Sequence, residues 1–145
     1  MIARWLDKLV RVHGARHPEL RQVQAAFLEL VEDLMTHMIK EENILFPYID
    51  ALASASRTWS RLPPGPFGTV LNPIRVMEED HRRAGDALVR LRQLTDGFQP
   101  PADACTTYRA CYDELLRYEA DLHRHVHLEN HVLFPRALAL EHELS

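Results

Sequence analysis

Apolar residues recur at three- and four-residue steps along most of the chain, and four such stripes predict four helices. The first carries Ile2, Trp5, Leu6, Leu9 and His13, closes at Gly14, and is followed by Pro18 where the next helix begins. The second face is Phe27, Leu30, Leu34, His37, Glu41, Leu45 and Tyr48. The third is Ile74, Met77, His81, Leu88, Leu91 and Thr95, with Asn72 as its cap and Pro73 at its first helical position. The fourth is Tyr108, Cys111, Leu115, Leu122, His125, Glu129 and Val132. Proline and glycine gather in RLPPGPFGTVLNP and GFQPP and punctuate the helices, and no segment alternates as a strand does. Residues 1–14, about 18–53, 73–96 and 103–142 are therefore predicted helical. Four amphipathic helices in 145 residues most simply pack as an all-α, antiparallel, up-down-up-down four-helix bundle, with 1–145 as a single domain.

These stripes place a histidine or a glutamate where a leucine is expected, and burying such groups costs several kcal/mol unless something compensates. His37 and Glu41 stand four apart, as do His125 and Glu129, so each pair shares one helical face. The spacing alone is weak, because roughly 0.7 such pairs are expected from composition. An internal repeat makes it specific. Asp33, Leu34, His37, Glu41, Leu45, Phe46 and Pro47 recur, each 88 residues on, as Asp121, Leu122, His125, Glu129, Leu133, Phe134 and Pro135. The two helices are thus equivalent, and the bundle reads as a duplicated helical hairpin that sets the two His/Glu pairs across the core from one another. His81 and His13, inward on the third and first helices, complete the ring.

Composition narrows the function. The formal charge of −4 and the absence of a Lys/Arg cluster argue against nucleic acid as a partner. No apolar run approaches the roughly 20 residues of a membrane-spanning helix, so the chain reads as cytoplasmic, with no membrane partner. The two cysteines, Cys105 and Cys111, fit a reducing compartment, and neither has an activating histidine close to it in sequence. No Gly-x-Ser-x-Gly motif or phosphate-cradling glycine loop points to acid–base or nucleophilic catalysis.

Four imidazoles and two carboxylates are more than one structural zinc takes, and they suit two metals. Imidazole with carboxylate fits iron, manganese or zinc, and two divalent ions would offset the buried carboxylate charge. Asp33 and Asp121, one turn before His37 and His125, either orient the imidazoles or are solvated surface acids. Phe46 and Phe134 read as packing residues, and Pro47 and Pro135 kink or break their helices by removing an amide donor. His123, His127 and His131 form an outward stripe, a solvated face.

The stretches HMIKEENILFP, PIRVMEEDHRRAG, PADACTTYRACY and DLHRHVHLENHVLFPRAL resemble the hemerythrin-like domain of the RIC, or repair-of-iron-centres, proteins. The resemblance covers nearly the whole chain. It implies a di-iron centre with ligands at His13, His37, Glu41, His81, His125 and Glu129, in which Glu41 and Glu129 bridge two iron ions. It also implies iron–sulfur cluster repair under nitrosative or oxidative stress, by donation of iron to apo iron–sulfur proteins or by handling nitric oxide. A carrier or sensor of oxygen or nitric oxide, and a metal-free or zinc-filled interaction bundle, are the alternatives. The family has a further histidine ligand upstream of the RVH position, beyond Met1, and a small N-terminal cysteine-bearing domain, neither of which this sequence contains. One coordination position is therefore expected to be open. A first helix of fourteen residues spans about 21 Å against more than about 50 Å for the second, so a homodimer is one way to cover the core.

Overall fold

A computed structural model describes residues 1–145, which form helices joined by turns and short coils, without a strand. The elements are α1 (Ile2–His13), α2 (Glu19–Lys40), a π-helical segment π1 (Glu41–Leu45), α3 (Phe46–Thr58), α4 (Leu71–Leu94), α5 (Thr106–Leu128), a second π-helical segment π2 (Glu129–Leu133) and α6 (Phe134–Leu144). Because α2, π1 and α3 run on without a break, as do α5, π2 and α6, the chain has the four helical stretches its stripes predict. It is an all-α protein of the four-helix-bundle class. No helix is long and apolar enough to cross a membrane.

Two local expectations are adjusted. α4 begins at Leu71, ahead of the expected cap Asn72, because Thr69 and Glu141 supply the capping groups. The Glu141 carboxylate accepts from the Val70 amide at 2.8 Å and from the Thr69 hydroxyl, while Thr69 Oγ1 accepts from the Leu71 amide. Pro47 and Pro135 neither break nor end their helices. A proline in a helix leaves the carbonyl four residues earlier without its donor, and the chain can absorb this by widening one turn. Here the Phe46 amide donates to the Glu41 carbonyl and the Phe134 amide to the Glu129 carbonyl, five residues back instead of four. Both widened turns start at the glutamates of the repeat.

The chain divides into two compact units, each built from two separated segments. The first comprises Met1–Asp33 and Arg83–His123. Its buried side chains include Leu6, Leu9, Leu20, Leu30, Leu91, Tyr108, Tyr112 and Leu115. α4 ends in this unit in a left-handed turn at Asp96, Gly97 and Phe98, with φ of 52°, 70° and 61°, tied back by the Gly97 amide to the Arg92 carbonyl at 2.8 Å. The Arg92 guanidinium lies over the Phe98 ring and forms an ion pair with the buried Glu119. The second unit comprises Leu34–Arg82 and Arg124–Ser145. Its apolar cluster is Leu45, Tyr48, Ile49, Leu52, Val70, Ile74, Met77, Phe134 and Ala137, so Phe134 is a packing residue as expected.

Candidate metal centre

The second unit buries four polar residues beside that cluster. His37 and Glu41 are each 2% exposed, His81 4% and Glu129 5%. Each reaches its place by simple helical geometry. His37 closes α2 and Glu41 opens π1 one turn later, while His125 and Glu129 repeat this at the end of α5 and the start of π2. His81 comes from the middle of α4. Together with His125, these residues offer five ligand atoms that all lie within 4.8 Å of one another.

Distances inside the cluster are short. His37 Nε2 lies 2.8 Å from Glu41 Oε1, His81 Nε2 2.9 Å from Glu129 Oε1, and His125 Nε2 3.0 Å from the same Glu129 oxygen. The two nitrogens His37 Nε2 and His81 Nε2 are 3.1 Å apart. The outer ring nitrogens explain the arrangement. His37 Nδ1 faces Asp80 Oδ2 at 3.2 Å, and His81 Nδ1 faces Asn130 Oδ1 at 2.8 Å. A carboxylate and an amide oxygen only accept, so each Nδ1 carries the proton and donates outward. In a neutral ring this leaves Nε2 as a lone pair turned into the cluster. Lone pairs of His37 and His81 then face two carboxylates, and nothing in the protein donates to them. Glu41 Oε1 and both carboxylate oxygens of Glu129 are buried without a hydrogen bond of acceptable geometry. Converging acceptors of this kind are the signature of a site that requires a cation.

The electrostatics agree. Burial works against a charge on His37, but the carboxylates of Glu129, Glu41 and Asp80 outweigh it and raise the imidazole to about 10. Burial also pushes Glu129 upward, yet the imidazoles of His37 and His81 beside it hold it well below the usual carboxylate range. Glu41 moves the other way: burial, reinforced by the neighbouring Glu129 carboxylate, raises it despite His37. Without a metal ion, protons are the only cations available to this cluster, and His37 collects one.

The residues named from sequence are distributed unevenly. His37, Glu41, His81, His125 and Glu129 come together. His13 does not join them. It is the last residue of α1, in the first unit, and its Nε2 lies 3.2 Å from the Cys105 sulfur, with the Tyr108 ring packed edge-on at 5.2 Å. Cys105 immediately precedes α5 in the first unit, whereas the five clustered residues all belong to the second. Asp33 and Asp121 are exposed, because eight residues before Glu41 and Glu129 they are turned about 80° from those buried glutamates toward solvent. The imidazoles are oriented instead by Asp80 and Asn130, which sequence reasoning missed. Each is the immediate neighbour of a candidate ligand, Asp80 before His81 and Asn130 after Glu129, and that adjacency is the signal that could have found them. Phe134 stacks parallel to the His81 ring at 6.0 Å.

A helical protein whose core turns imidazole and carboxylate lone pairs onto one point is a cation-binding bundle. The hemerythrin HHE cation-binding domain matches residues 1–137, and the chain belongs to that family. Among curated relatives, it is 41% identical over 132 residues to the iron-sulfur cluster repair protein YtfE of Musicola paradisiaca (strain Ech703), covering 91% of this chain and 54% of that protein. It is 41% identical over 134 residues to the protein of the same name from Enterobacter sp. (strain 638), covering 92% and 55%, and 39% identical over 132 residues to that of Yersinia pestis, covering 91% and 54%. The chain thus spans about half the length of the curated relatives it matches.

Proposed function

We propose that the chain holds a di-iron centre with His37, Glu41, His81, His125 and Glu129, and that it serves iron–sulfur cluster repair under nitrosative or oxidative stress. The observation that carries this reading is the convergence of three imidazoles and two buried carboxylates, with three carboxylate oxygens lacking any protein donor. The cluster repair names of the relatives support the physiological half. Iron there would supply redox chemistry and a place for a small diatomic ligand such as nitric oxide or oxygen. The chain's own residues do the rest. Asp80 and Asn130 fix the tautomers of His37 and His81, keeping both Nε2 atoms available for ligation. Phe134 and the apolar cluster keep water off the buried side. His125 differs from the other four, its side chain being 45% exposed. That side leaves the centre open to solvent, as donation of iron or entry of a diatomic requires.

The test is metal analysis of the purified chain followed by transfer. Protein purified without chelator should contain close to two irons per chain, and should reactivate an apo iron–sulfur protein in stoichiometric exchange for its own iron. Less than one metal per chain, or zinc alone, would end the di-iron reading. Reversible adduct bands with nitric oxide or oxygen, without loss of iron to the acceptor, would replace repair by carriage.

A further inference from the structure

We propose that Cys105 and His13 form a thiol–imidazole pair that enters thiol–disulfide exchange with a small-molecule disulfide, Cys105 being the attacking sulfur. Its Sγ lies 3.2 Å from His13 Nε2, a contact between residues 92 apart in sequence and internal to the first unit. The neutral ring nitrogen accepts from the thiol; once the proton has crossed, the imidazolium donates to the thiolate. A nucleophile with a base in hydrogen-bond reach is the arrangement that activates a cysteine.

The pair stands at the start of a long helix. Cys105 immediately precedes α5, a helix of 23 residues, and its carbonyl accepts the Arg109 amide at 3.1 Å in the first turn. The sulfur therefore sits at the positive end of a long helix. Lys8 reaches the same turn from α1, with Nζ donating to Thr107 Oγ1 at 3.0 Å. The imidazole is held in place by the edge of the Tyr108 ring. The other titratable groups at this end pair with each other: His17 lies 2.9 Å from Asp103 and 3.6 Å from Glu19, with Arg16 at 3.7 Å from Asp103. The second cysteine is the internal contrast. Cys111 is fully buried, and burial pushes its thiol up to about 12, whereas Cys105 is partly exposed.

Exchange demands no more than this pair offers. It builds no tetrahedral oxyanion, so it needs an ionised sulfur that can be reached in line, and somewhere for the proton to go. The Cys105 proton passes to His13 Nε2. The thiolate attacks one sulfur of the small disulfide, a new S–S bond forms as the old one breaks, and the departing thiolate takes the proton from the imidazolium. One disulfide is consumed and one is made, with no other oxidant. Cys111 cannot resolve the product, being about 240° around the helix from Cys105 and buried, so the mixed disulfide stands until an external thiol removes it.

The experiment treats the folded full chain with oxidised glutathione and follows the adduct by intact mass and peptide mapping. One glutathione should attach, at Cys105, with Cys111 unmodified until the chain is unfolded in urea. His13→Asn should slow the reaction about tenfold at pH 7, and the gap should close above about pH 9, where a thiol ionises unaided. Cys105→Ser should take no adduct. A rate at pH 7 indifferent to His13→Asn, or equal labelling of both cysteines in the folded chain, would overturn the proposal. Should the variant melt at a lower temperature, the unaltered chain decides the matter: Cys105 must react faster folded than unfolded at pH 7, and a slower folded rate overturns the pairing.

Discussion

The two units are built from the same kind of helix yet treat buried polarity in opposite ways. In the first unit the buried charge is Glu119, and the Arg92 guanidinium neutralises it; the buried Thr95 hydroxyl donates to the Leu91 carbonyl at 2.8 Å and accepts from the Phe98 amide. The buried side-chain atom left over there is the neutral hydroxyl of Tyr108. In the second unit three carboxylate oxygens are left over, surrounded by imidazole lone pairs. A buried polar group answered from within the chain speaks for structure, and a buried charge that nothing in the chain answers speaks for a ligand. The comparison also explains why the repeated helices widen where they do. π1 and π2 both start at a glutamate of the buried cluster, so the extra residue in the turn is spent at the candidate site, and a π-helical turn inside an α-helix is a common mark of function.

The largest expected effect is removal of the metal. A cation that binds only the folded chain, present at a thousand times its Kd, contributes roughly 4 kcal/mol, which is about 10 °C of melting temperature for a chain of this size. Chelation should lower the melting temperature by that order, and Glu129→Ala should abolish both the bound metal and the response to chelator. Glu119→Ala, the matching loss of a buried carboxylate in the first unit, should leave metal content unchanged. Equal metal loss in the two variants, measured by elemental analysis, would erase the distinction between the units.

Alkaline pH separates them next. His37 is raised from 6.5 to about 10, so in the metal-free chain its contribution to stability is complete below pH 6.5 and is lost as pH rises through 10. The metal-loaded chain needs His37 neutral and loses nothing on that account. Melting temperatures of the chelated protein should fall between pH 7 and 10 while those of the loaded protein hold; a parallel course in both would contradict the origin assigned to the shift.

Much of this contrast was legible in the sequence, for identifiable reasons. Helices with apolar stripes announce themselves, and an 88-residue repeat carrying His37/Glu41 onto His125/Glu129 singles out the site before any coordinate is known. His13 misled because an inward position on a helical stripe says which face a residue takes but not which end of a neighbouring helix it meets. The same uncertainty concealed the Cys105 contact, since the sulfur and the imidazole are 92 residues apart. Asp33 and Asp121 were suggested by their place in the repeat, yet eight residues before Glu41 and Glu129 the helix has turned them about 80° from those glutamates, off the buried face. Pro47 and Pro135 signalled disruption correctly but not its form, because whether a helix breaks or widens depends on what packs against it.

Asp80 tests a subtler difference, a side chain that acts on the site only through His37. Partners of metal-bound imidazoles are worth about 10–100-fold in metal affinity, so Asp80→Ala should weaken binding by that factor without changing the number of metals at saturation. A competition titration against a chelator of known affinity reads this directly. An unchanged affinity would mean that the tautomer of His37 is set by something other than Asp80.

The smallest effect belongs to the exposed pair of the first unit. His17 beside Asp103 holds that carboxyl below its ordinary 3.8, so the contribution is present above pH 3.8 and disappears as pH falls through the lowered value. Exposed pairs of this kind contribute little and are screened by salt. His17→Ala should therefore lower the melting temperature of the chelated protein only slightly at pH 5–6, less in high salt, and not at all near pH 2. Acid thus weakens the first unit at a surface pair while alkali weakens the metal-free second unit at a buried one, and the two titrations can be followed in a single preparation. A His17→Ala deficit that persists unchanged to pH 2 would assign the loss to packing against Tyr108, whose ring meets His17 edge-on at 5.7 Å, instead of to charge.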